Sequence, residues 1–153
     1  MNLIDLQIAT EIKVLPQLSD FQTWVDLALA DQDQIFEIVI RLVDKAESAQ
    51  LNQAYRHKTG ATNILSFPFE VPEGIELNLL GDLIICAPLV AEEAQIQHKP
   101  LLHHWAHLVI HGILHLRGYD HQQEAEALLM ESLEINLLHQ LTIANPYQEV
   151  IFP

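Results

Sequence analysis

Apolar and polar residues alternate through LIDLQIA at residues 3–9, the period of a strand with one buried face. The next stretch, LSDFQTWVDLALADQ, changes period. Phe21, Trp24, Val25 and Leu27 recur at helical spacing, with Ser19 or Asp20 as the expected N-cap. QIFEIVIRLVD returns to β-branched alternation and predicts a second strand, and AESAQLNQAYR predicts a helix ending near Arg56. A turn at HKTGA leads to a short strand, NILSFPFE, stopped near Pro68 and Pro72. EVPEGIELN reads as a loop or hairpin connection into LLGDLIICA, a long apolar strand.

Three helices follow. PLVAEEAQIQHK opens with proline at a helix start, and EAEALLMESLEINLLHQL is amphipathic. Between them, PLLHHWAHLVIHGILHLRG is apolar nearly all round. It should lie centrally, largely buried, and stop with Gly118 as its C′ residue. The tail from about residue 142, TIANPYQEVIFP, has no periodic pattern and should be loose or draped over the surface. With no repeat or linker, the expected architecture is a single α/β (α+β) domain across residues 1–153. A mixed sheet of about four strands is packed by about five helices, the His-bearing one at the centre.

Composition changes this picture in three ways. Half of the 153 residues are apolar, enough for one core. The single cysteine, Cys86, sits in an apolar run, so no internal disulfide can form and a reducing compartment is expected. Without a charged neighbour in sequence it reads as an inert buried thiol. The N-terminal stretch has acids and no base before Lys13, unlike a secretory or transit signal. No apolar run nears the roughly 20 residues of a membrane span, so a cytoplasmic protein is expected. The formal net charge of −14 disfavours indiscriminate nucleic-acid binding. A local positive site remains, because Arg56 and Lys58 flank His57 in YRHK.

The candidate chemistry lies in HGILHLRGYDH, residues 111–121. His111 and His115 are four residues apart and share a helix face. Gly118 permits the left-handed turn that stops the helix, and Tyr119 and Asp120 then return His121 toward the same point. Two ligands from a helix and one from the loop beyond it suit zinc, and three protein ligands leave the fourth tetrahedral position to water. An ion of this kind lowers the pKa of its water toward about 7. Asp120 has two readings, as a hydrogen-bond partner or general base beside the ion, or simply as a turn residue. His107 shares the row of histidines at intervals of four, but that row drifts around a 3.6-residue helix, so it reads first as a packing residue, with a place beside the metal as the alternative. His103 and His104 are read as solvent or packing residues. In the zinc proteases an HExxH motif puts the general base beside the first ligand. Here Gly112 stands at that position, which disfavours proteolysis.

HGILHLRGYDH, YRHKTGATNILSFPFE and LLGDLIIC together resemble the YbeY family of bacterial endoribonucleases. The resemblance implies one Zn²⁺ per chain on His111, His115 and His121, in a single α/β domain. It also implies cleavage of single-stranded ribosomal RNA, maturation of the small-subunit rRNA 3′ end and ribosome quality control. Small ribosomal subunits and assembly proteins would be partners, with neither DNA nor membrane. The family's arginine falls on Arg56, which is expected to bind phosphate and stabilise the transition state, its planar fork being something Lys58 cannot mimic. Lys58 and Arg117 are candidate RNA contacts. Many members carry Asp where this chain has Asn63. Two other readings stay open: an assembly factor whose zinc is mainly structural, and a zinc hydrolase of peptides or esters.

Overall fold

A computed structural model describes residues 1–70, 72, 74, 78–120 and 123–147. Its elements follow the order β1 (Leu3–Ala9), α1 (Leu18–Ala28), β2 (Glu37–Val43), α2 (Lys45–Arg56), β3 (Ile64–Pro68), β4 (Leu79–Cys86), α3 (Ala87–Ile96), α4 (Leu101–Leu116) and α5 (Glu124–Gln140). The four strands form one mixed sheet in the order β1-β2-β4-β3. β1, β2 and β4 are parallel, while β3 runs antiparallel to β4 and forms the edge. The expected α/β domain, its four strands and its five helices are all present.

The pleat divides the apolar residues between two faces. Ile38, Ile40, Leu42, Leu83 and Ile85 join α1 and α4 in the larger core, where Phe21 meets Trp105 edge to face at 5.9 Å. Val43, Leu65, Ile84 and Cys86 make a smaller cluster on the opposite face, closed by Leu51 of α2 and by Phe67 and Leu89. α1 begins two residues earlier than a Ser19 cap would place it and three earlier than an Asp20 cap would. Gln17 precedes the helix in an extended conformation, and its backbone N–H donates to Asp20 Oδ2 at 2.8 Å. Asp20 therefore serves from inside the first turn, as the acidic half of a capping box does.

α4 is central, as its composition requires: ten of its sixteen residues are buried. A Cβ at Gly112 would lie 2.7 Å from both Ile64 Cδ1 and Leu83 Cδ2, so glycine lets the helix settle directly onto β3 and β4. That close seat fixes where the histidines of α4 can point. Among the described residues no helix is long and apolar enough to cross a membrane.

Candidate metal centre

α4 ends as the sequence predicts. Arg117 caps the helix and Gly118 follows with φ +98. The Gly118 N–H donates to the His115 carbonyl at 2.9 Å, and the Tyr119 N–H to that of Leu114 at 3.1 Å. This pair of bonds is a Schellman motif, which satisfies carbonyls that would otherwise be orphaned. It also brings the Tyr119 carbonyl round to accept a 3.0 Å hydrogen bond from His115 Nδ1.

His111 is oriented from another direction. On α5 the buried positions are Met130, Glu134 and Leu138, a stripe at intervals of four with a carboxylate in its middle. Glu134 is 0% exposed. Its Oε1 accepts from His111 Nδ1, and its Oε2 accepts from the hydroxyl of Tyr147, with His107 Nε2 at 3.4 Å. Burial pushes this carboxyl up, but the bonds from His107, His111 and Tyr147 outweigh it and hold the pKa at about 2. The same contact, after burial, drives the Tyr147 phenol upward. Burial lowers the pKa of His107 despite Glu134 beside it.

Tyr147 arrives by an ordered path rather than from a loose tail. Thr142 takes φ +59 after α5, and Ile143 packs against the core with its N–H on the Leu138 carbonyl at 2.9 Å. The Tyr147 N–H then closes on Asn145 Oδ1 at 2.8 Å, and Lys99 Nζ reaches the Pro146 carbonyl at 3.4 Å. Through residue 147 the tail is draped over the site.

These contacts set the imidazole tautomers. An ionised carboxylate and a backbone carbonyl only accept, so His111 and His115 each carry a proton on Nδ1. Their Nε2 atoms then present lone pairs, and those atoms lie 3.0 Å apart. Two lone pairs that close repel unless a proton or a metal ion is shared between them. Nitrogens bound at about 2.0–2.1 Å to one tetrahedral ion would sit about 3.4 Å apart, within a few tenths of an ångström of what is seen. The donor set therefore fits a divalent metal. His107, His111 and Glu134 form an overlapping cluster, with ligand atoms within 4.8 Å of one another. Glu134 already spends both oxygens on donors, which suits it to steering a ligand.

The remaining expected residues are distributed as follows. His121, the third expected ligand, lies outside the described residues. Asp120 follows Tyr119 and is half-buried. Arg56 and Lys58 are exposed at the end of α2, where His57 breaks the helix with φ +57. Arg117 is tied into the protein, donating to the Ala28 carbonyl and to Asp31 Oδ2, each at 2.9 Å. His104 is buried, with Nε2 2.9 Å from Glu93 Oε1. Asn63 donates to the same Glu93 carboxylate at 3.1 Å, an interaction that an aspartate there would turn into repulsion. Glu134 and Tyr147 were not singled out by the motif. The acid inside the Met130–Leu138 stripe was the sequence signal for Glu134, and Tyr147 had none.

With this geometry in hand, comparison with known proteins is decisive. The family model described as Endoribonuclease YbeY matches residues 5–142. The chain belongs to the YbeY family. It is 59% identical over 152 residues to Endoribonuclease YbeY of Colwellia psychrerythraea, covering 97% of this chain and 98% of that protein. Identity to Endoribonuclease YbeY of Nitrosococcus oceani is 54% over 149 residues, covering 96% and 97%. The fold resembles the solution structure of TM1509 from Thermotoga maritima, with a TM-score of 0.57 at 22% identity over 94% of this chain and 99% of that one. This YbeY-family protein is thus an endoribonuclease, a hydrolase of RNA, with a His/Glu cluster compatible with metal binding.

Proposed function

We propose that this protein is a cytoplasmic, zinc-dependent endoribonuclease specific for single strands, which matures the 3′ end of small-subunit rRNA and acts in ribosome quality control. Its partners are ribosomal RNA, the small subunit and assembly proteins. The observation that carries the metal assignment is the pair of Nε2 lone pairs converging at 3.0 Å from His111 and His115. His121 completes the ligand set. A divalent cation bound there supplies Lewis-acid and water-activating chemistry toward a phosphodiester.

The chain's own residues do the rest. Glu134 and the Tyr119 carbonyl hold the two imidazoles in the ligating tautomer. Arg56 offers a planar, permanently charged fork to the phosphoryl oxygens, where negative charge develops in the transition state. Lys58 adds a backbone contact, and Asp120 orients a ligand or accepts a proton. Arg117, held by Ala28 and Asp31, contributes to the scaffold more than to the RNA.

The test combines metal content with cleavage of a small-subunit rRNA precursor. His115→Ala should lose both metal and cleavage. Arg56→Ala should keep its metal and fold while cleavage falls by roughly a hundredfold or more, the scale of losing one charge-stabilising group. A metal-free wild type, or an Arg56→Ala variant that cleaves normally, would refute the assignment. Normal metal with no RNA cleavage by the wild type would favour the assembly factor with a structural ion.

A further inference from the structure

We infer that Tyr55 is a base-stacking platform for single-stranded RNA, with Arg56 and Lys58 engaging the phosphates on either side of the stacked base. This rests on the RNA-cleaving function and adds to it a base-binding subsite beside Arg56.

The first observation concerns charge. Of seven Lys and Arg residues, Arg41 pairs with Glu47, Lys45 with Glu92, and Arg117 with Asp31. Lys99 is drawn to the Pro146 carbonyl. Among the described residues, Lys13, Arg56 and Lys58 have no acidic partner. Two of these three therefore lie two residues apart at the end of α2, both exposed, on a protein whose net charge is −14. Neutralising RNA phosphates is the use for such cations that agrees with the enzyme's substrate.

The second observation is the aromatic ring that precedes these cations in the chain and reaches the sheet. Tyr55 is 66% exposed, yet its ring is braced against Phe67 of β3 in a T-shaped contact at 5.2 Å. Braced edge to face, an exposed ring has a face free to receive a base, and stacking of this kind serves single strands because duplex bases are already stacked.

The loop behind the platform is tied down. Asn52 Nδ2 donates to the Gly60 carbonyl at 2.9 Å, and Ser48 Oγ both donates to the Thr62 carbonyl and accepts from its N–H. Little ordering is left for RNA to impose. Phe69 is the other exposed aromatic of this region, at 44%. It lines a groove of about 440 Å³ with Asp5, Glu37 and Asp82, whose carboxylates repel a phosphate backbone. Charge therefore selects Tyr55. The geometry also fits a path round the sheet edge: Ile64 of β3 touches α4 on one face, while Phe67 braces Tyr55 on the other.

The experiment measures binding of a fluorescein-labelled, single-stranded 2′-O-methyl oligoribonucleotide to the metal-loaded protein by anisotropy. Tyr55→Ala should weaken binding roughly tenfold or more, with metal content unchanged and melting temperature lowered by only about 2–4 °C for the lost Phe67 contact, and Tyr55→Phe should restore binding. Trp24 and Trp105 are buried, so Tyr55→Trp supplies a surface reporter that the single strand should quench and duplex RNA should not. Wild-type affinity in Tyr55→Ala, equal quenching by duplex, or a loss in Tyr55→Phe matching that in Tyr55→Ala would each overturn the proposal. Because the readout is binding, it can fail while His115→Ala still loses its metal, and it can succeed if the metal assignment fails.

Discussion

Glu134→Gln is the sharpest perturbation of the metal centre. The substitution keeps the size of a side chain that is fully buried and removes only its charge. A hydrogen bond to a charged group contributes about 1.5–3 kcal/mol, against about 0.5–1.5 kcal/mol for a neutral one. Losing that difference at His111 removes roughly 1–1.5 kcal/mol from the orientation of one ligand, which is about tenfold in metal affinity. The metal-free fold should be destabilised as well, because a carboxyl whose pKa is held at about 2 is one the folded state favours ionised, and a neutral amide forfeits that. Chelator competition would give the affinity and calorimetry the stability of the metal-free protein. The expected pair of results is about tenfold weaker divalent-metal binding together with a lower melting temperature of the metal-free protein. Affinity within threefold of wild type would refute the orienting role. A thousandfold loss shared with His107→Ala, alongside normal binding in His115→Ala, would instead make Glu134 a ligand of the overlapping cluster.

Arg117→Met should lower stability by about 2 kcal/mol, or roughly 4–8 °C in melting temperature, while leaving affinity for single-stranded RNA within twofold. Most of that cost comes from the Ala28 carbonyl losing a charged donor, since Ala28 is only 1% exposed, whereas the Asp31 partner is well solvated. A tenfold loss of RNA affinity at unchanged stability would reverse this assignment. Burial raises the Cys86 thiol, so thiolate is scarce even in mildly alkaline buffer. A thiol-specific reagent at pH 8 should react with native protein only at the rate of unfolding, and rapid stoichiometric labelling would contradict that.

The parts of this molecule legible in sequence are those set by local rules. β1 and β2 announce themselves by alternation, and α4 by an apolar surface that can only be buried. Gly118 signals the Schellman turn because few residues other than glycine accept its backbone angle. The parts hidden in sequence depend on distant segments meeting. Glu134 looked like one more acid of a charged helix, and only its 130–134–138 spacing puts it on the buried stripe. Tyr147 belonged to a tail without periodicity, and nothing local connects it to a carboxylate thirteen residues earlier. Arg117, adjacent to the motif, looked available for RNA until α1 and Asp31 claimed it across 89 and 86 residues of chain. Cations are few in this protein, so where each is spent decides its role. The YRHK pair, reached by neither acid nor carbonyl among the described residues, is consequently the place where a phosphate backbone has most to gain.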